Sequence, residues 1–210
     1  MPAHGKVTRR AASENLAMTA RHFLFIVSSA RIPGAIGNTE WLAREAARHL
    51  PASATSRWIH LNGIVLDDFD DRRHDVGTYP MPIGDTATLL NATMDATDLV
   101  FVTPLYWYSF PNRLKRYLDH WSAWMRVEGL GFKERMQGKR VWAITTSGDR
   151  AKTQPMFDSL KLCAEFLAMQ WQPPLWGKGG APGAVEKDAA AIAAAANHFG
   201  AADTAAVLPA

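Results

Sequence analysis

Two stretches of this chain are apolar at every position rather than at every second one: Phe23-Leu24-Phe25-Ile26-Val27 and Leu99-Val100-Phe101-Val102. A strand with one face in water alternates. A strand covered on both faces does not, and continuous runs rich in branched and aromatic residues mark a parallel sheet with helices on either side. Lys139–Thr145 reads as another such strand, Trp58–Leu61 as a short one, and Trp171 begins a last strand that Pro173 and Pro174 cut short, as suits a sheet edge.

Helical spacing fills the intervals. Leu42, Ala46 and Leu50 share one face of a segment Trp41–Leu50 that Pro51 ends. Further helices are expected over Thr86–Ala96, Met156–Met169 and Ala184–Phe199. Pro111 is expected as a first helical residue, followed by an apolar stripe of Leu114, Tyr117, Leu118, Trp121, Trp124 and Met125. The stretch Asn62–Asp85, with its mixed charges and Pro80 and Pro82, reads as a long surface loop. The predicted fold is an α/β sandwich of three layers, α/β/α, around a five-stranded parallel sheet, with right-handed crossovers placing helices on both faces.

At 210 residues the chain suits one such domain, expected over 21–200, with a flexible tail at 1–20 and another at 201–210. The first twenty residues are basic but lack the apolar core of a secretory signal, no apolar run approaches the roughly 18 residues that span a bilayer, and a cytoplasmic protein is expected. A net charge of +3 is too small to argue for nucleic acid. Cys163 is the only cysteine, which excludes an internal disulfide and a cysteine-ligated zinc or iron–sulfur site.

Ligands of parallel α/β sheets bind outside the carboxyl ends of the strands. Three loops at that edge have unusual composition. The first, Ser28–Thr39, ends at a helix N-terminus, where free N–H groups and the helix dipole favour an anion. Ser28, Ser29, Asn38 and Thr39 add neutral donors and Arg31 a charged one, a set suited to a phosphate monoester. Neither a Walker loop nor GxGxxG is present, and the same residues also serve simply to end a strand and cap a helix. The second loop carries Tyr106, Trp107, Tyr108 and Phe110, able to wall a flat conjugated ring or to pack as a satellite cluster. The third, Thr146-Ser147-Gly148-Asp149, offers hydrogen bonds to a polar ring edge, or is a plain turn. Phosphate, face and edge contacts together describe a pocket for flavin mononucleotide, FMN.

The segment TPLYWYSFPNRLKRYLDHW resembles the PLYWYS-P-x-x-LK-x-x-x-D signature of the flavodoxin-like NAD(P)H-dependent quinone and FMN reductases. Ser29-x-Arg31 and Gly37-Asn38-Thr39 resemble the phosphate loop of the same family, and TTSGD is a fainter echo of its loop after the fourth strand. The likeness runs from Phe23 to Met169 in element order as well as motif. It implies a flavodoxin-like fold and bound FMN reduced by NADH or NADPH. Phosphate contacts then fall to Ser29, Arg31, Asn38 and Thr39, and ring contacts to Pro104, Leu105, Tyr106, Trp107, Thr146, Ser147 and Gly148. Hydride would pass to the flavin, and the reducing equivalents on to a quinone, a nitro or azo compound or free flavin. The family also implies a homodimer with the flavin near the subunit interface. Five residues separate Arg31 from Gly37, more than in compact versions of this loop, and Asn62–Asp85 lacks the cysteine pair of the iron–sulfur relatives.

Other residues have plainer roles. His74 and its neighbouring aspartates, interleaved with Arg72 and Arg73, are a self-neutralising surface rather than a metal site. His120, Trp121 and Trp124 are core or dimer contacts, Tyr108 a proton donor or a packing group, and Cys163 an inert thiol. No residue is singled out as acid or base. Two other functions fit the same fold: a one-electron carrier of flavodoxin type, against which the positive charge argues, and a non-catalytic flavin-binding ancillary subunit.

Overall fold

The structure is a computed structural model and describes residues 20–200. The expected tails, 1–20 but for its last residue and 201–210, lie outside the described residues. Strands β1 (His22–Val27), β2 (Thr55–His60), β3 (Asp98–Val102) and β4 (Arg140–Ser147) pair in parallel in the order β2-β1-β3-β4. The direction of winding reverses between β1 and β3, which makes a switch point where the aromatic loop leaves β3.

The continuous apolar runs occupy the centre of this sheet because both faces are covered. Leu24, Ile26, Leu99, Phe101, Val141 and Ala143 face one core, shared with α2 (Gly84–Asp95), α3 (Asn112–Trp124), α4 (Phe132–Met136) and α5 (Gln154–Phe166). Phe25, Val27, Val100, Val102, Trp142 and Ile144 face the other, against α1 (Asn38–Ala47) and α6 (Ala189–Asn197). Gly177 lies under this second layer. A Cβ there would come within 2.8 Å of Val185 and 2.9 Å of Leu42, so α1 can approach the sheet only over a glycine.

The fifth position differs from the expectation of a strand cut short. β5 (Gln170–Trp171) and β6 (Leu175–Lys178) both pair with β4, giving six strands on five positions. Between the two pairings β4 advances from Val141 to Ile144, three residues, while the edge chain advances from Trp171 to Leu175, four. Pro173 and Pro174, without N–H groups, sit in the extra length, and the strand resumes beyond them. Several boundaries also move. α1 starts at Asn38 rather than Trp41, and Pro111 is the N-cap of α3 instead of its first residue. Thr146 and Ser147 belong to β4 rather than to the loop after it. The expected final helix is broken at Asp188, which caps α6 by accepting from the Ala191 N–H at 3.1 Å. α4 had no sequence expectation; five residues are too few to show a period.

The stretch 62–85 is largely irregular, as expected, but it is held in place. From one face of α3, Arg113 donates to the Leu61 carbonyl, Arg116 to the Leu66 carbonyl and to Asp68, and His120 Nε2 bonds the Asp67 carbonyl. Asp70 and Asp71 pair with Arg72 and Arg73 at the surface. Among the described residues no group of three metal-ligating side chains occurs, and no helix is long and apolar enough to cross a membrane.

Candidate functional site

At the carboxyl edge of the sheet, over β1, β3 and β4, lies a cavity of about 250 Å³. The first helical hydrogen bond of α1 runs from the Trp41 N–H to the Gly37 carbonyl at 2.9 Å, so the N–H groups of Asn38, Thr39 and Glu40 have no partner within the helix. All three residues line the cavity. Arg31 lines it too, and among the described residues its guanidinium makes no ion pair. Three backbone donors and an uncommitted cation at a helix N-terminus form a candidate anion site.

The long insertion between Arg31 and Gly37 does not carry Arg31 away. Its side chain folds back onto the helix start, so close that a Cβ on Gly37 would lie 2.8 Å from Nε. Gly37 has a φ of −96°, open to any residue, so what a Cβ there would change is the place of the Arg31 side chain.

A carboxylate, Glu40, is buried beside this anion site. Its Oε1 accepts from Arg44 Nη2 at 2.6 Å and Nε at 3.0 Å, and lies 3.0 Å from His60 Nε2. Arg44 is in turn fixed over the Trp58 ring. The charge is therefore answered from the helix flank, away from the cavity's cation.

The opposite wall is apolar: Pro104, Leu105 and Tyr106 from the loop after β3, with Val27 and Val102 below. Thr146 and Ser147 form the β4 side. The Thr39 and Thr146 hydroxyls are 2.7 Å apart, which ties the start of α1 to the end of β4. Ser147 Oγ accepts from Trp176 Nε1 and donates to the Asp149 carbonyl, both at 2.8 Å.

A protein-family model described as a flavodoxin-like fold matches residues 21–202. This chain belongs to that family. YwqN of Bacillus subtilis (strain 168), whose name is that of an NAD(P)H-dependent FMN-containing oxidoreductase, is 28% identical over 162 residues, 76% of this chain and 87% of its own. Among solved structures, the Trp repressor binding protein of Bacillus subtilis superposes with a TM-score of 0.65 at 23% identity, over 84% of this chain and 97% of its own. General stress protein 14 of Treponema denticola, solved in complex with FMN, superposes with a TM-score of 0.56 at 15% identity, over 87% and 98%. At these identities the two structures speak for the fold.

Within this flavodoxin-like architecture, nine of the eleven residues expected at the site line the one cavity: Ser29, Arg31, Asn38, Thr39, Pro104, Leu105, Tyr106, Thr146 and Ser147. Trp107 and Gly148 do not. Trp107 is 93% exposed, because it and Tyr108 form a two-residue hairpin turn closed by Tyr106 N–H to Ser109 O and Ser109 N–H to Tyr106 O, at 2.9 and 3.0 Å. Both turn residues have left-handed φ, 49° and 62°, which throws their side chains outward. Gly148 lies past the strand end, since Thr146 and Ser147 continue β4.

The sequence reading missed Glu40 and the segment 178–183. Gly180 lines the cavity, Gly179 N–H donates to the Ser147 carbonyl at 2.8 Å, and the Ala181 carbonyl accepts from Asn38 Nδ2 at 2.9 Å. The signal was present as a glycine-rich stretch, GKGGAPG at 177–183, beginning in the last two residues of β6; it was hidden by the expectation that the strand ended at the prolines. Trp121 and Trp124 are buried in the protein's own core, which removes them as the residue basis for a dimer contact. Cys163 is half-buried, and burial raises its thiol pKa, as suits an inert group.

Proposed function

We propose that the protein is an FMN-dependent NAD(P)H oxidoreductase that delivers reducing equivalents to a quinone, a nitro or azo compound, or free flavin. One observation carries this reading: a single cavity at the switch point joins an anion site to an aromatic and aliphatic wall and to a polar strand end. That sequence of surfaces fits a mononucleotide with a phosphate at one end and a flat ring at the other. The named activity of YwqN supports it.

FMN, when bound, supplies the redox chemistry by accepting reducing equivalents from a nicotinamide and passing them on. The protein's own part is to bind and orient. Arg31 and the N–H groups of Asn38, Thr39 and Glu40 would hold the phosphate, with Ser29 beside them. Pro104, Leu105 and Tyr106 would exclude water from one side of the ring, and the end of β4 at Thr146 and Ser147 would meet its polar edge.

Purified protein is expected to be yellow, or to quench the fluorescence of added FMN at micromolar concentration. Colourless protein without quenching would sink the proposal. Anaerobic titration of FMN-loaded protein with NADH and with NADPH, then with a quinone and a nitroaromatic, identifies the donor and acceptor. Absence of steady-state nicotinamide oxidation would favour an electron carrier or ancillary subunit instead. A homodimer is part of the proposal, with exposed Tyr106, Trp107 and Tyr108 of the loop after β3 and Ile32 and Ile36 of the loop after β1 as the surface a second copy would cover. A monomer by light scattering at micromolar concentration would withdraw it.

A further inference from the structure

The flavin reading leaves the stretch 62–85 without a role, yet this stretch encloses a second cavity of about 390 Å³ against α3. Pro80, Met81, Pro82 and Ile83 wall it, and Ala123 and Trp124 form its floor. No residue lines both this cavity and the one at the sheet edge. The wall is braced where it begins. Tyr79 N–H donates to the Arg126 carbonyl at 3.3 Å. Its hydroxyl accepts from the Arg72 N–H at 2.7 Å and donates to the Asp70 carbonyl at 3.0 Å. Pro80 and Pro82, with fixed φ, restrict the chain further, so the cavity is largely preformed.

Two of the polar groups that line it are acceptors without a donor. The aspartates of 67–71 differ in this respect. Asp68 pairs with Arg116, Asp70 with Arg72 and Asp71 with Arg73. Asp67 is the one that lines the cavity, and among the described residues it forms no ion pair. His120 holds it in place, with Nε2 2.9 Å from the Asp67 carbonyl. A carbonyl only accepts, so Nε2 carries the hydrogen and Nδ1 of the neutral ring is an acceptor as well. Nδ1 has no partner among the described residues, and the ring is half-buried at the cavity wall.

A carboxylate and an imidazole acceptor beside an apolar surface select a ligand that is cationic, donates hydrogen bonds and has an apolar body. A metal ion suits the site less, because among the described residues no group of three ligating side chains occurs. We propose that this cavity binds a small primary ammonium compound with an aromatic or branched aliphatic body. Asp67 meets the charge, His120 Nδ1 accepts one N–H, and the body rests on Ala123 and Trp124 beneath the prolines. The site is separate from the sheet-edge cavity and does not depend on a flavin there.

The test titrates the full-length protein, in mildly alkaline buffer, with phenethylamine, neutral phenethyl alcohol and anionic phenylpropionate. Backbone amide shifts are followed by NMR. Asp67→Asn and Ala123→Met are titrated alongside, and the melting temperature and sedimentation of each protein are recorded. The amine is expected to bind at about millimolar concentration or below, to move amides within 79–86 and 120–124, and to leave those of 104–106 in place. Asp67→Asn should weaken the amine about three- to fivefold, the size of an exposed ion pair, and leave the alcohol unchanged. Ala123→Met, which fills the floor, should weaken amine and alcohol alike; Asp67 stands at the surface and tests the charge without touching the core. Equal binding of amine and alcohol, or an amine affinity that Asp67→Asn does not change, would overturn the proposal in favour of a purely apolar pocket. Tighter binding of the anion would overturn it on the sign of the charge. No shift at 79–86 and 120–124 with any of the three compounds would overturn it outright. A dimer that Ile83→Asp dissociates, in protein that takes up no amine, would assign the cavity to a second copy of the chain instead.

Discussion

Arg31 and Gly37 act as a pair across a five-residue insertion, and the pairing is spatial. Arg31→Ala is expected to weaken FMN by about 1.5–3 kcal/mol, ten- to a hundredfold, by removing a charge-assisted contact. It should leave the melting temperature nearly unchanged, since Arg31 is exposed and makes no ion pair among the described residues. Gly37→Ala should weaken FMN in the wild-type background by displacing Arg31, and have little effect once Arg31 is already alanine. Additive losses by fluorescence titration would refute the pairing. His198 makes a different point. It packs against Trp142 and Phe199, and burial lowers its pKa from 6.5 to about 4. Above pH 6.5 it is neutral in both folded and unfolded chains and has no effect. As pH falls from 6.5 to 4 the unfolded chain takes up a proton that the folded one refuses, so stability declines through that window and the loss levels off below pH 4. The decline is about 3 kcal/mol at 1.36 kcal/mol per unit. Urea denaturation between pH 7 and 4 measures it, and His198→Leu should flatten the slope there. An equal slope in that variant would assign it to other groups.

Among the elements, the turn after Tyr106 is the least relaxed. Trp107 and Tyr108 both hold left-handed φ, which bulky side chains adopt at a cost of about 1–3 kcal/mol each. Replacing them with Asn-Gly, the preferred pair for such a turn, is expected to raise the melting temperature while Tyr106 keeps its place in the cavity wall. A lower melting temperature would show that the exposed aromatics contribute packing. This turn also shows why the sequence could name the aromatic loop but not sort its members. Composition gave four aromatics after a buried strand; which of them face the cavity depends on backbone dihedrals that no spacing rule reads. Segment 178–183 escaped for a related reason. Pro173 and Pro174 are strong local signals for ending a strand, but the long neighbour β4 offered pairing beyond them and the chain rejoined it.

At the scale of the molecule, the candidate cavity and a buried ion network sit at opposite ends of the sheet. Asp98 opens β3 with no exposure. It accepts from Arg21 Nη2 at 2.6 Å, from Trp142 Nε1 at 2.9 Å and from Thr97 Oγ1 at 2.7 Å. Arg21 also donates to the Phe199 carbonyl at 3.0 Å, so the network joins the entry of β1, β3 and β4 to the chain beyond α6. Removing one partner leaves a buried charge uncompensated. Asp98→Asn is therefore expected to cost about 3–5 kcal/mol by urea denaturation and to leave FMN affinity unchanged, the cavity being at the far end of the same strands. Loss of affinity at full occupancy of the folded state would contradict that separation.

The sequence by itself determined the layers, the order of elements and the edge of the sheet at which the candidate cavity lies. Each of these follows from local properties: unbroken apolar runs such as Phe23–Val27, helical spacing between them, and the fixed hand of the crossovers. It also determined most of the candidate site, because Ser29, Arg31, Asn38, Thr39 and Pro104–Tyr106 stand at strand ends and helix starts that topology brings together. Only the tertiary structure decided that Arg31 lies over Gly37, that Asn38 turns its nitrogen to Ala181, and that Trp107 leaves the cavity. Those outcomes depend on side-chain directions and on contacts between residues up to 143 positions apart, which no window of sequence contains.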